Sequence, residues 1–243
     1  MRVAAVVQAR TGSTRLPGKV LRPLAGRPVL GWVLRAAATC PGIDEVVVAT
    51  TTLPEDDAVA ELARDAGAAV VRGPVDDVLE RYLRALDTSP ADAVVRLTAD
   101  CPLLDPELLG AVVAAWRAAP DAADYVATTL VRTLPRGLDV ELVTAAALRR
   151  AGEEARDHDR THVTSYVWSH PDRFRLTGLV VAPAADDLRI TLDTPEDAAL
   201  IEALVEVTGD RAPSWRELVA VLRRRPDLVA LNAAVVQKTL TEG

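Results

Sequence analysis

Short apolar strands alternate with longer helices through the first half of this chain. Apolar, β-branched runs predict strands at residues 3–8, 45–51, 68–71, 93–98 and 125–128. Helical periodicity predicts helices between them, at residues 28–39, 55–66, 75–86 and 106–118. Because the strands are apolar on both faces, this alternation predicts an α/β three-layer sandwich with a mostly parallel central sheet.

The pattern becomes less regular after residue 128. Strands are predicted at residues 137–143, 174–182 and 188–192, and helices at 144–156, 160–169, 195–208 and 214–225. A length of 243 residues with 49% hydrophobic residues suits one α/β domain with a substantial core. We therefore predict a single domain over residues 1–243, with an insertion at about 129–185 and weakly structured C-terminal residues.

Composition excludes several classes of protein. The sequence has no apolar run near the roughly 20 residues that cross a bilayer, so a membrane protein is not expected. The two cysteines, Cys40 and Cys101, are too few for a disulfide framework or a four-ligand zinc site. A reducing cytoplasm is therefore the expected location.

Charge is distributed unevenly along the chain. The net charge of −7 argues against a protein that binds nucleic acid. Residues 1–43 nevertheless contain no acidic residue and seven cations, which are Arg2, Arg10, Arg15, Lys19, Arg22, Arg27 and Arg35. A basic start on an acidic protein indicates a local site for an anion.

The segment after the first predicted strand combines the groups that bind phosphate. Residues 8–19 read QARTGSTRLPGK and contain three cations, three hydroxyls and two glycines. Ligands of parallel sheets bind at the carboxyl ends of the strands. Backbone N–H groups, hydroxyls and cationic side chains together suit a triphosphate, so we predict a phosphate-binding loop here. The alternative is a solvated basic turn at Pro17 and Gly18.

Two common phosphate-binding motifs do not fit this loop. A P-loop has four residues between its first glycine and its Gly-Lys pair, followed by Ser or Thr. Here five residues separate Gly12 from Gly18, and Val20 follows Lys19. The G-x-G-x-x-G sequence of dinucleotide-binding folds is also missing after the first strand.

Two aspartates, Asp100 and Asp193, follow two other predicted strands. Neighbouring residues already supply the helix caps, with Asp105 before one helix and Thr194 and Asp197 as a capping box before another. Either aspartate alone suits a structural role. Together with the phosphate-binding loop, the two carboxylates predict a site for a hard divalent cation.

The segment QARTGSTRLPGKVL resembles the N-terminal signature of the cytidylyltransferase superfamily, which includes the CMP-sialate and CMP-KDO synthetases. It is most similar to the spore-coat polysaccharide, SpsF-like branch. The resemblance implies a Rossmann-like nucleotidyltransferase fold of the GT-A-like type and CTP as the nucleotide. It also implies that the phosphates are held by Arg10, Ser13, Arg15 and Lys19, in a CTP site that includes Gln8, Ala9 and Gly12.

The DCPL and LDTPED segments resemble the two metal-carrying stretches of the same superfamily. The resemblance implies that Asp100 and Asp193 bind Mg²⁺, although Ala99 stands where a glycine is usual. It also implies a homodimer. We therefore predict that the catalytic groups are Arg10, Arg15, Lys19, Asp100 and Asp193.

Three further segments, RGPVDDVLERY, PRGLDVE and RTHVT, resemble blocks of the SpsF-like branch. The first implies contacts with the base and ribose of CTP, although its plain alternative is an amphipathic helix with an acidic N-terminus. Its selected residues are Arg72, Asp77 and Arg81. The other two blocks imply contacts with the acceptor from Asp139, Glu141, Arg160 and His162. Thr161 replaces the usual glutamate of the third block.

These features together predict a magnesium-dependent enzyme that transfers CMP from CTP to a small acidic or phosphorylated acceptor and releases pyrophosphate. The acceptor remains open among sialic-type acids, KDO-like acids, polyol phosphates and phosphonates. One alternative is a glycosyltransferase that uses a sugar nucleotide, although Asp100-Cys101-Pro102 lacks the Asp-x-Asp motif of that class. Another is a nucleotide-binding protein without catalysis.

Overall fold

Seven of the eight predicted strands form a seven-stranded sheet in the computed structural model, which describes residues 1–237. The strands are β1 (Val3–Gln8), β2 (Pro23–Leu24), β3 (Arg27–Pro28), β4 (Glu45–Thr51), β5 (Ala69–Gly73), β6 (Ala93–Thr98), β7 (Tyr125–Ala127), β8 (Glu141–Thr144) and β9 (Leu176–Gly178). The helices are α1 (Val29–Thr39), α2 (Asp57–Asp65), α3 (Val78–Thr88), α4 (Pro106–Ala118), α5 (Ala145–Glu154), α6 (His158–Thr161), α7 (Ser165–Ser169), α8 (Pro195–Thr208), α9 (Trp215–Arg224) and α10 (Pro226–Ala230). Residues 238–243 of the predicted domain lie outside the described range.

The central sheet has the strand order β5-β4-β1-β6-β8-β7-β9, while β2 and β3 form a separate hairpin. Only β8 runs antiparallel to its neighbours, so the prediction of a mostly parallel sheet is confirmed. β1 and β6 are adjacent and parallel, and their last residues, Gln8 and Thr98, are register partners. The loops that follow these two strands therefore start side by side at one edge of the sheet.

Apolar side chains cover both faces of the sheet. Along β1, Val3, Ala5 and Val7 pack with α1, α4, α8 and α9, whereas Val6 packs with α3, α5 and α7. This alternation follows from the two-residue period of a strand. The result is the predicted three-layer sandwich. No helix within residues 1–237 is both long enough and apolar enough to cross a membrane.

Several helices and strands in the first half of the chain have the bounds predicted from the sequence. β1, β4, β6 and α4 have the predicted bounds. The helix predicted at 75–86 begins later, at Val78, because the carboxylate of Asp77 accepts a hydrogen bond from the N–H of Glu80 at 2.9 Å and caps the helix there. Asp105 caps α4 in the same way, as predicted.

The prediction of a strand at residues 188–192 is wrong. An isolated bridge between Arg136 and Arg189 is its only ladder contact within residues 1–237. The segment bonds instead to two different loops, since the carbonyl of Leu188 accepts from the N–H of Arg136 and the N–H of Leu192 donates to the carbonyl of Asp100. It is an extended segment that joins the segment around Arg136 to the loop after β6.

Three other predicted elements of the second half are shorter in the structure. The strand predicted at 137–143 is reduced to β8, and the one at 174–182 to β9. The helix predicted at 160–169 is divided into α6 and α7, because Val163 between them has a φ of +53°. A β-branched residue in the left-handed region interrupts a helix.

Candidate active site

The loop after β1 is held by a buried carboxylate. The carbonyl of Thr11 accepts hydrogen bonds from the N–H groups of Ser13 (2.7 Å) and Gly18 (3.0 Å). The N–H and hydroxyl of Thr11 both donate to Asp56, at 2.7 and 2.8 Å, and Asp56 is 1% exposed. Asp56 was not predicted as a site residue, because an acidic residue before a helix is ordinarily a cap.

Lys19 lies between Asp100 and Asp193, the two aspartates predicted to bind a metal ion. It begins a 3-10 turn, Lys19–Leu21, at the end of the loop. Its Nζ donates to Asp100 Oδ2 at 2.8 Å, to Asp193 Oδ1 at 2.8 Å and to the carbonyl of Leu192 at 2.9 Å. All three donors of the ammonium group are used. The two carboxylates therefore converge on one point at the edge of the sheet.

Asp193 is oriented by more than Lys19. Its second oxygen contacts Arg15 at 3.2 Å and Arg189 at 2.8 Å. Arg189 also binds Asp197 with two hydrogen bonds of 2.9 Å, and Asp197 is fully buried. Arg189 was not selected from sequence, although a single charge in the apolar run 188–192 is a signal that it has a buried partner.

The charges of this cluster stabilise one another. Burial by itself raises the pKa of Asp100, but the charge of Lys19 and the hydrogen bonds that Asp100 accepts together outweigh burial and lower that pKa below the ordinary value. Burial lowers the pKa of Lys19, but Asp100 and Asp193 outweigh it and raise that pKa. The lysine and Asp100 are therefore both charged at neutral pH.

The donor set at Asp100 and Asp193 fits a magnesium ion. Mg²⁺ is commonly bound by one or two carboxylates together with water and substrate phosphates. Within residues 1–237, no group of three or more His, Cys, Asp or Glu side chains is placed to hold a metal. These two carboxylates therefore suit an ion whose remaining ligands come from a phosphorylated substrate.

A cavity of about 550 Å³ opens beside the cluster. Its wall includes seven of the residues selected from sequence, which are Gln8, Arg15, Asp100, Asp139, Glu141, His162 and Asp193. It also includes three arginines that were not selected, which are Arg96, Arg132 and Arg136. The cavity thus brings the predicted nucleotide and acceptor sides together.

Glu141 is the centre of a buried polar network on the cavity wall. It accepts hydrogen bonds from Arg96 (2.5 Å), from the hydroxyl of Tyr125 (2.7 Å) and from the hydroxyl of Thr164. Burial raises the pKa of Glu141, but the charge of Arg96 and the hydrogen bonds from Thr164, Tyr125 and Arg96 together outweigh burial and lower that pKa. Arg96 also donates to Gln8 at 3.2 Å. Arg96 was not predicted as a site residue. It is the one charged residue in the apolar strand 93–98, which indicates a buried partner.

Three residues predicted to contact the nucleotide make internal contacts, and none is in the cavity wall formed by the described residues. Arg72 donates to two backbone carbonyls and binds Asp57 at 2.6 Å. Arg81 is 2% exposed and donates to the carbonyl of Pro74 at 2.9 Å. Asp77 caps α3. In the structure these residues shape the segment between β5 and α3.

The predicted acceptor residues are divided between the wall and the scaffold. Arg160 lies away from the wall, where it binds Asp77 at 2.6 Å. Asp139 is in the wall and binds Arg132 with hydrogen bonds of 2.5 and 3.1 Å. His162, just after α6, is also in the wall.

The remaining residues of the predicted CTP site belong to the loop itself. Ala9 is buried, and its N–H donates to the carbonyl of Ala49 at 3.3 Å. Arg10 and Gly12 are exposed, and Ser13 is half-buried. The cavity wall of the described residues does not include these four.

Comparison with known proteins identifies the family. Residues 4–224 match the family model described as cytidylyltransferase. The spore coat polysaccharide biosynthesis protein SpsF of Bacillus subtilis is 34% identical over 231 residues, which cover 91% of this chain and 94% of that protein. A 3-deoxy-manno-octulosonate cytidylyltransferase of Anaeromyxobacter dehalogenans is 36% identical over 183 residues, covering 69% of this chain and 73% of that protein.

A solved structure is similar over the whole fold. The structure of a cytidylyltransferase from Leptospira borgpetersenii superimposes with a TM-score of 0.92 at 31% sequence identity, covering 98% of this chain and 100% of that chain. The match to the family model spans most of the sequence, and the resemblance seen in the loop after β1 extends to the complete fold. The chain therefore belongs to the cytidylyltransferase family of nucleotidyltransferases.

Proposed function

We propose that this enzyme transfers CMP from CTP to a small acidic acceptor, such as an acidic sugar, a polyol phosphate or a phosphonate, and releases pyrophosphate. The observation that carries the proposal is the position of Lys19 between Asp100 and Asp193, in contact with both. Family membership supports CTP as the nucleotide. The relative whose name specifies 3-deoxy-manno-octulosonate supports a sugar acid as acceptor.

The reaction requires positive charge around the phosphates of CTP. An acceptor oxygen attacks the α-phosphorus, and the bond to the leaving pyrophosphate breaks. Catalysis of this kind depends on positioning and electrostatic stabilisation. Lys19 and Arg15 supply two cations at the edge of the sheet, and both contact Asp193. We assign the pyrophosphate to these two cations and to Arg10, the exposed cation of the same loop.

Magnesium is the proposed cofactor, and Asp100 and Asp193 are its proposed ligands. When bound there, the ion would neutralise charge on the phosphates during transfer. The chain contributes the orientation of the carboxylates. Arg189 and the buried Asp197 hold Asp193, because Asp197 binds both the Arg189 guanidinium and the backbone N–H of Asp193.

The cavity provides space for the acceptor next to these charges. Its volume of about 550 Å³ suits a small molecule. Asp139 and His162 are polar groups on its wall, and the buried pair of Glu141 with Arg96 forms another part of that wall. We assign Asp139 and His162 to acceptor contacts and Glu141 to the positioning of Arg96.

Pyrophosphate release tests the proposal directly. Purified enzyme is incubated with CTP, Mg²⁺ and a panel of acidic acceptors, and ATP, GTP and UTP are compared with CTP. Asp100→Asn removes one carboxylate at nearly constant size, and we expect pyrophosphate release to fall by at least about 100-fold. Asp187→Asn is the matched control, because Asp187 forms an exposed surface pair with Arg223.

The alternatives have different outcomes in the same assay. Turnover of a sugar nucleotide in the absence of any nucleoside triphosphate would indicate a glycosyltransferase. CTP binding without metal dependence and without turnover would indicate a nucleotide-binding protein. Full activity of Asp100→Asn, with a circular dichroism spectrum like that of the wild type, would contradict the role given to Asp100.

A further inference from the structure

The cavity wall contains four arginines, and three of them are paired with a carboxylate of the same wall. The pairs are Arg15–Asp193, Arg96–Glu141 and Arg132–Asp139. Asp100, the remaining carboxylate of the wall, is paired with Lys19. Arg136 is the fourth arginine, and among residues 1–237 its guanidinium has neither an ion pair nor a hydrogen bond.

The backbone of Arg136 is fixed. Its N–H donates to the carbonyl of Leu188 at 3.0 Å, and its carbonyl accepts from the N–H of Ile190 at 2.7 Å. The next residue, Gly137, has a φ of +105°, and a Cβ atom there would lie 2.6 Å from the carbonyl carbon of Ile190. The two segments are therefore in close contact, and the arginine side chain extends into the cavity wall from a rigid base.

The surroundings of Arg136 favour an added anion. Its pKa is lowered, first by burial and then by repulsion from Arg132, and attraction to Asp139 offsets only part of this. Arg189 adds to the repulsion. A partly buried cation beside other cations gains more from a bound anion than an arginine that already has a carboxylate partner.

We propose that Arg136 binds the acid group of the acceptor, a carboxylate or a phosphate, and thereby selects acidic acceptors for the reaction. This inference rests on the proposed function, because it concerns the acceptor of that reaction. The planar guanidinium matches the oxygens of either group with two parallel hydrogen bonds. Arg160, one of the residues predicted to contact the acceptor, binds Asp77 instead.

Calorimetric titration of two acids tests the inference without requiring turnover. The probes are 3-deoxy-manno-octulosonate for a carboxylate and glycerol 3-phosphate for a phosphate, with glycerol as the neutral control. For each acid that the wild type binds, we expect Arg136→Met to weaken binding by about 10- to 100-fold. Arg136→Lys should recover part of the affinity, because it retains the charge. CTP affinity should be unchanged.

The matched control is Arg223→Met, which removes an exposed arginine paired with Asp187 on the surface. It should bind both probes like the wild type. Equal affinity of Arg136→Met and the wild type for a bound acid would overturn the inference. The same conclusion would follow if the wild type bound neither acid, or bound glycerol as tightly as glycerol 3-phosphate.

Failure of the inference and failure of the proposed function give different results. If no acceptor yields pyrophosphate but Arg136→Met loses affinity for an acid, the proposed function fails and the anion site remains. If an acidic acceptor yields pyrophosphate and Arg136→Met leaves its KM unchanged, the function remains and the inference is overturned. A rise in the KM of the acceptor alone, with the KM of CTP unchanged, supports both.

Discussion

The two sides of the site are held in place by different means. On the nucleotide side, the groups follow β1 and β6, which are adjacent parallel strands whose last residues, Gln8 and Thr98, are register partners. On the acceptor side, which we define as residues 129–193, the chain is largely irregular and is held by bonds between distant segments. The N–H of Arg136, for example, donates to the carbonyl of Leu188, which lies outside any strand. An exception is β8, where Glu141 is the register partner of Arg96 on β6.

This difference indicates where substitutions will reduce stability. The sheet places the nucleotide side through strand pairing, which single side chains affect little. The acceptor side depends on a few buried polar bonds and close backbone contacts. We therefore expect changes there to lower the free energy of unfolding as well as activity.

Glu141→Gln should have the largest effect on stability. The substitution keeps the size of the side chain but leaves the guanidinium of Arg96 without a carboxylate, and the side chains of this pair are only 10% and 16% exposed. Breaking a buried ion pair by removing one charge costs about 3 kcal/mol or more. Urea denaturation at pH 7 measures the loss.

The control for this comparison is Glu80→Gln. Glu80 pairs with Arg84 one helical turn away, and the side chains of Glu80 and Arg84 are 34% and 46% exposed. Loss of this surface pair should lower the free energy of unfolding by less than about 0.5 kcal/mol. Similar losses for the two variants would show that the acceptor-side network adds no more stability than a surface pair.

The Glu141 variant should also change the pH dependence of stability. The pKa of Glu141 in the folded protein is below the ordinary value of 4.5, so its carboxylate contributes stability that is fully present above that value. The contribution is lost as the pH falls through the lower folded-state pKa. The difference between the wild type and Glu141→Gln should therefore be constant at neutral pH and narrow below pH 4.5.

Two glycine substitutions compare the acceptor side with a local turn. Gly137 and Gly67 have φ values of +105° and +79°, but a Cβ at Gly137 would meet Ile190 at 2.6 Å, whereas Gly67 faces open space. Gly67→Ala should cost about 1 kcal/mol, from backbone conformation alone. Gly137→Ala should cost at least about 3 kcal/mol, because the clash adds to that cost.

Urea denaturation of both glycine variants measures this contrast. The difference between their losses in free energy of unfolding measures the cost of the clash between a Cβ at position 137 and the backbone of Ile190. Equal losses would mean that the contact relaxes easily and that the base of Arg136 is not rigid.

Asp77→Asn should have the smallest effect on stability of the substitutions at predicted site residues. The amide oxygen still caps α3, while the ion pair with Arg160, whose side chains are about one quarter exposed, is lost. We expect a loss below about 1 kcal/mol in urea denaturation. The KM for CTP should stay unchanged if Asp77 acts only through these contacts, and a rise would support the nucleotide contact that the family resemblance implies.

The same contrast explains which structural predictions were correct. The strands of the first half were recognised because an apolar run between turn signals is a local property of the chain. The segment 188–192 has the same apolar pattern, but its backbone bonds to separate loops at Arg136 and Asp100. A buried extended segment is apolar whether or not it pairs with a strand. The sequence therefore could not distinguish a strand of the sheet from an extended segment outside it.

The predicted site residues show the same difference between local patterns and long-range contacts. Asp100 and Asp193 were selected because each follows an apolar segment, and the structure brings them to the same ammonium group. Arg96 and Arg189 gave a weaker signal, a lone charge among apolar residues. Their partners, Glu141 and Asp197, were not recognisable as partners, since the sequence contains no information on which buried charges meet.

The sequence by itself determined the order and type of most elements in the first half of the chain, the family, and the loop to which we assign the phosphates. Local periodicity, turn chemistry and a contiguous motif are sufficient for these. Only the tertiary structure decided that Lys19 joins the two aspartates, that Glu141 is paired with Arg96, and that the guanidinium of Arg136 has no ion pair or hydrogen bond among the described residues. Charge pairing depends on distances of a few ångströms between segments far apart in the chain, and only the folded packing of the sheet and its loops sets those distances.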